Sequence, residues 1–248
     1  MFTPEERACL RSDILQRAAS DRRISGAAIT GSAAAGREDV WSDVDLAFGI
    51  ADESALPSVL VDWTAYMYVQ HSAVHHVDVN SGAWTYRVFL LASTLQVDLA
   101  FVSADEFRAL APSFHLVYGK AREPRHVPPA SPADIIGMAW LYALHARSCI
   151  ARRKFWQAEY MISGLRDQAL ALACLRYGLP TVHGRGMDLL PAEAVAPFEA
   201  SLVRQLDDVE LSRAFREITC ALVGEIRAVD AALAARLQDT LMQLAAWP

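Results

Sequence analysis

Between Ala111 and Ala133 the sequence reads APSFHLVYGKAREPRHVPPASPA, a stretch that holds five of the chain's eleven prolines. Proline has no backbone N–H and a fixed φ, so neither a helix interior nor a central strand runs through such a segment. The stretch therefore splits the chain, and the two sides differ in pattern. Before it, short apolar runs alternate with helical spacing; after it, the spacing is helical throughout. We expect an α+β protein: a mixed-sheet domain over residues 1–115, a Pro-rich connection over 116–131 and an α-helical bundle over 132–248. About half of the 248 residues are apolar, enough to build a core in each part.

The first part opens with Thr3-Pro4-Glu5-Glu6, a capping box with proline at the first helical position, and Leu10, Ile14, Leu15 and Ala18 extend a helix to about Ser20. SGAAIT, Ser25 to Thr30, reads as a buried strand that turns at Gly31-Ser32. DVDLAFGI alternates Val44, Leu46 and Phe48 against Asp43, Asp45 and Ala47, the period of a strand. A helical run from Ser54 follows, then three strand-like runs, VHHVDVN, YRVFLLA and LQVDLAFVS, giving the order α-β-β-α-β-β-β. Beyond the break, helices are expected from Pro132 to about Lys154, Phe155 to Tyr177, Ala192 to Leu206, and Glu210 to the end.

Charge on an apolar strand needs a reason. Residues two apart on a strand point the same way, so Asp43 and Asp45 present two carboxylates on one face, roughly 6–7 Å apart along the chain. Like charges that close repel unless a cation lies between them. Asp98 is a third lone acid, set between Val97 and Leu99 in an apolar strand. If the two strands are neighbours the three acids converge, and hard oxygen ligands with no His or Cys suit Mg²⁺. Gly31 and Ser32, at the turn upstream, offer backbone N–H groups and a hydroxyl to a phosphate. Ser42 is a second candidate hydroxyl.

Gly31-Ser32, ten residues, Asp43-Val44-Asp45 and an apolar strand, with Val97-Asp98-Leu99 later, resembles the signature of the DNA polymerase β-like nucleotidyltransferases. The likeness covers about residues 25 to 102, and the order of domains is similar to that of the aminoglycoside and lincosamide nucleotidyltransferases. The resemblance implies that Asp43, Asp45 and Asp98 bind two Mg²⁺ ions, that Ser32 contacts the phosphates of ATP or another nucleoside triphosphate, and that a nucleoside monophosphate is moved to a hydroxyl of a small molecule. It also makes Glu159, on a helix whose Glu159, Ser163, Arg166 and Asp167 share one face, a candidate general base, with Asp98 its rival. An exposed face, or an ion pair of Glu159 with Arg166, gives the same pattern. Arg185, in the loop HGRGMD, is a candidate for reaching the triphosphate or the acceptor, or belongs to a plain surface connection.

Other groups read as structural. His75 and His76 are adjacent on a strand and point to opposite faces, so they do not share an ion with Asp78. Arg87 serves either a phosphate or a cross-strand ion pair. Cys9, Cys149, Cys174 and Cys220 stand far apart and read as reduced core thiols. With 23 Lys and Arg against 29 Asp and Glu, the net charge of −6 disfavours a long nucleic acid as partner and suits small or cationic ligands. No window is apolar enough for a membrane span, the charged N-terminus does not resemble a signal peptide, and a cytoplasmic enzyme is expected, with room for a homodimer. Action on a protein or an RNA end, or a silent nucleotide-binding module, is the alternative.

Overall fold

The computed structural model describes residues 2–125, 128 and 130–246, so His126, Val127 and Pro129 of the expected connection and the last two residues lie outside the described residues. The chain divides into two compact units, Met1–Val127 and Pro128–Pro248.

The first unit begins with α1 (Pro4–Ser20), whose capping box forms as the sequence requires. The Glu6 N–H donates to Thr3 Oγ1 at 3.1 Å, and the Thr3 N–H donates to Glu6 Oε2 at 2.7 Å. Then come β1 (Ile24–Thr30), the single turn α2 (Gly31–Ala34), β2 (Val44–Ile50), α3 (Leu56–Gln70), β3 (Ala73–Ser81), β4 (Trp84–Leu91), β5 (Gln96–Ser103) and β6 (Phe114–Tyr118). The strands form one sheet in the order β3-β4-β5-β2-β1-β6. Neighbours pair antiparallel except β2 and β5, which run parallel from Val44 opposite Val97 to Ile50 opposite Ser103.

The period of two in β2 and β5 sorts the sheet into two faces. Leu46, Phe48, Leu99 and Phe101 turn to one side, where Ile14 of α1 and Trp63 and Met67 of α3 close over them. Phe48 lies 5.0 Å from Trp63 and 5.4 Å from Phe101 between ring centroids, so a tight aromatic group anchors α3 to the central strands. Ala47, Ala100 and Val102 turn to the other side, where Trp84 and Phe107 cover them. That second layer protects only part of the face. The acids stand on the remainder.

One strand was not expected. β6 lies inside the Pro-rich stretch, antiparallel to β1, with Ala28 opposite Leu116 and Thr30 opposite Phe114. It runs only five residues along the edge of the sheet, and its three central residues are exposed, so it carries no alternating signature. β6 thus carries the sheet of the first unit a few residues into the Pro-rich stretch.

The second unit contains α4 (Pro132–Ala151), α5 (Phe155–Arg176), α6 (Ala192–Ala200), α7 (Asp208–Val229) and α8 (Ala231–Ala245). α6 stops short of the expected Leu206, and the single helix expected from Glu210 onward is two. Asp230, in an extended conformation, ends α7 and caps α8 by accepting the Leu233 N–H at 2.9 Å. Small residues let α4 and α5 pack closely, with Ala139, Ala143 and Ala146 in one core with Ala158, Ile162 and Leu165. Within this unit Glu225 is 9 % exposed and is held by Arg176, Nε to Oε2 at 2.8 Å and Nη2 to Oε1 at 2.9 Å. Cys149 and Cys174 are buried thiols, whereas Cys9 and Cys220 are exposed, so only two of the four belong to a core. Among the described residues no helix is long and apolar enough to cross a membrane.

Candidate metal centre

The parallel pairing of β2 with β5 decides the site, because it sets Asp45 directly opposite Asp98. Asp43 precedes β2 by one residue and shares that face. The three side chains each offer an oxygen such that the three oxygens lie within 4.8 Å of one another, and all three residues are half-buried. Two carboxylates about 5 Å apart repel by about 3 kcal/mol at an effective dielectric of about 20. The sheet therefore holds together three acids whose mutual repulsion a cation would relieve.

Gly31 makes room for this cluster. Its φ is +64°, which only glycine adopts at no steric cost, and a Cβ built there would stand 1.8 Å from Oδ2 of Asp45. The Asp45 carboxylate thus packs against the backbone at the turn from β1 into α2. Ser32, the next residue, buries its Oγ with no hydrogen-bond partner. An unpaired buried hydroxyl costs about 1–3 kcal/mol, and a phosphate oxygen or a water at this turn would satisfy it.

Gln96 completes the cluster. Two residues before Asp98 on β5, it donates from Nε2 to Oδ1 of Asp98 at 3.0 Å and toward Oδ2 of Asp43 at 3.4 Å. Burial, weakened by the Gln96 hydrogen bond and reinforced by the Asp43 charge, pushes the Asp98 carboxyl up to about 6. The sequence signal for Gln96 was available, since positions 96 and 98 share a strand face.

The loop into Asp43 is fixed from within and from α1. Ser42 Oγ donates to Asp39 Oδ1 and accepts from the Asp39 N–H, both at 2.9 Å, so its hydroxyl is engaged with the loop itself. Arg7, which sequence reasoning missed, reaches the same loop from α1. Its signal was weak: an arginine four residues before Arg11 on a helix ordinarily means an exposed edge.

Glu159 and Arg185 belong to the second unit. Glu159 Oε1 accepts a hydrogen bond from Ser163 at 2.6 Å, and Arg166 donates to Ser163 at 3.3 Å and to Ser201 Oγ and O at 2.9 and 2.8 Å. Ser163 therefore stands between the acid and the arginine. Arg185 is exposed in the loop after α5. His76 Nδ1 pairs with the Tyr68 hydroxyl at 3.0 Å, and Arg87 grips Asp78 across β3 and β4 at 2.6 and 2.7 Å while its Nη1 donates to the Leu60 carbonyl of α3 at 2.8 Å, so these groups are engaged with the fold.

The donor set fits a hard divalent cation: three carboxylates, no nitrogen or sulfur, and an orphaned hydroxyl on the adjacent turn. No family model matches the chain, and no curated protein matches it. Among solved structures the chain is similar to an aminoglycoside 6-adenyltransferase from Bacillus subtilis, with 11 % identity, both chains covered in full and a TM-score of 0.44.

Proposed function

We propose that this protein is a Mg²⁺-dependent nucleotidyltransferase that moves the AMP unit of ATP to a hydroxyl of a small molecule and releases pyrophosphate. One observation carries the reading: Asp43, Asp45 and Asp98 converge on neighbouring strands beside the Gly31-Ser32 turn, the arrangement that the motif resemblance requires. The acceptor class that the resemblance suggests is an aminoglycoside-like or lincosamide-like antibiotic, and the chain's net charge of −6 is compatible with a polycationic acceptor.

In this scheme Asp43, Asp45 and Asp98 hold two Mg²⁺ ions, which when bound stabilise the attacking and leaving oxygens of an in-line displacement. Gly31 brings the backbone of the turn against the acids, and Ser32 gives its unpaired hydroxyl to a phosphate oxygen. The acceptor oxygen bonds to the α-phosphorus as the bond to the bridging oxygen breaks. The bridging oxygen keeps the electron pair and leaves with pyrophosphate. A carboxylate takes the hydroxyl proton, and Asp98 and Glu159 are the two candidates for that role. Arg185 is proposed to meet the triphosphate or the acceptor.

Purified protein with ATP, Mg²⁺ and a panel of aminoglycosides and lincosamides tests the reading through pyrophosphate release. Release that depends on an acceptor and disappears in Asp43→Asn and Asp45→Asn supports it. Unchanged release in either variant overturns it. Glu159→Gln separates the bases: a loss of kcat of about 10²-fold or more assigns the proton to Glu159, and a near-unchanged kcat leaves it with Asp98.

A further inference from the structure

Arg7 is 4 % exposed, a guanidinium almost wholly withdrawn from water on a helix that otherwise needs no buried charge. Removing an ion from water costs several kcal/mol, which hydrogen bonds of good geometry must offset. Arg7 makes them to a single loop. Its Nη1 donates to the Asp39 carbonyl at 2.6 Å and to the Ser42 carbonyl at 2.9 Å, and its Nε lies 3.1 Å from Glu38 Oε1. Glu38 is gripped a second time by Arg11, at 2.6 Å. Within the loop, Asp39 Oδ1 accepts from the Trp41 N–H and from the Ser42 hydroxyl, each at 2.9 Å.

The Ser42 carbonyl belongs to the peptide unit that enters Asp43. That unit is planar, so fixing its oxygen fixes the nitrogen of Asp43 and the direction from which this aspartate enters the strand. On the other side of Asp43, the ladder of β2 with β5 takes over from Val44. Asp43 is thus the one acid of the three whose backbone lies outside the ladder, and Arg7 supplies the restraint that the sheet does not.

We infer that Arg7 is a positioning residue that sets the Asp43 carboxylate for a divalent cation. The inference rests on the reading of the three acids as a cation site. A planar fork serves two carbonyls and a carboxylate at once, and an ammonium does not, so Arg7→Lys keeps the charge and loses the geometry. Groups that orient metal ligands from behind typically alter affinity by about 10- to 100-fold.

The test is a Mn²⁺ titration of the full-length chain without nucleotide, followed by the electron paramagnetic resonance signal of free Mn²⁺, at a temperature where circular dichroism shows each variant folded. Wild type is expected to bind Mn²⁺, Asp43→Asn to lose it, and Arg7→Lys to weaken it by about 10- to 100-fold. Thr3→Ala removes the cap of α1 and serves as a control for general destabilisation, with affinity unchanged. Glu38→Gln, a milder loosening of the same clamp, is expected to weaken binding by about 3-fold or more by the same logic.

Wild-type affinity in folded Arg7→Lys overturns the role given to Arg7 while leaving the cation site standing. Should Arg7→Lys not fold, wild-type affinity in Glu38→Gln has the same force. No Mn²⁺ binding by the wild type, or equal binding by Asp43→Asn, overturns the cation site and the positioning role together.

Discussion

Asp98→Asn is expected to stabilise the metal-free protein at alkaline pH, although it removes a proposed catalytic acid. The folded carboxyl titrates at about 6 against an ordinary 3.8, chiefly because it is buried and secondarily because Asp43 is near. Between those values the folded state binds the proton more tightly than the unfolded state, so stability falls as pH rises through this window. Below about pH 3 the acid is neutral in both states and costs nothing. Above pH 6 the full penalty applies. A gap of about 2.2 pH units at about 1.36 kcal/mol each gives about 3 kcal/mol, which solvent screening at this half-exposed group reduces to about 1–2 kcal/mol. Asparagine has no charge to desolvate, and its Oδ1 still accepts from Gln96. Thermal unfolding in EDTA, followed by circular dichroism from pH 3 to pH 8, should show the variant about 3–8 °C more stable at pH 8, with the difference shrinking to its minimum near pH 3. A variant that is less stable at pH 8, or a difference that does not change with pH, refutes the reasoning.

Gly31→Ala places a methyl group on the Asp45 carboxylate and strains a positive φ, so it should cost about 1–2 kcal/mol and abolish nucleotidyl transfer. Gly36→Ala, at the same φ of +64° but with nothing within 4 Å of the new Cβ, should cost about 1 kcal/mol in urea unfolding and keep the activity. Arg176→Ala strands the buried Glu225 carboxylate and should destabilise the helical unit by about 2–3 kcal/mol in urea unfolding, with much of the loss recovered when Glu225→Leu is added.

Most of the first unit was legible because its chemistry is local. The Thr3-to-Glu6 box announces α1, and the alternation of Val44, Leu46 and Phe48 announces both the strand and the face on which Asp43 and Asp45 stand. What a sequence does not carry is adjacency. Nothing in the residues around Asp98 says that β5 lies parallel to β2 rather than one strand further away, and the register of Asp45 with Asp98 is a property of the sheet. β6 escaped because an exposed five-residue edge strand among prolines satisfies few of the patterns that mark buried strands. The break at Asp230 escaped because the apolar spacing of α7 and α8 nearly matches across it, and the capping role of one aspartate decides the outcome. Gln96 and Arg7 act through contacts to groups distant in sequence, Asp43 and the 38–42 loop, and a long polar side chain discloses its partner only in the folded chain.

The central claim is tested most directly by following the label from two forms of ATP in the presence of Mg²⁺ and an acceptor. With the label on the α-phosphate, the product should carry it; with the label on the γ-phosphate, it should appear in pyrophosphate, and both signals should vanish in Asp45→Asn. Transfer of the γ-label to the acceptor, or transfer of the α-label that survives in Asp45→Asn, would contradict the account.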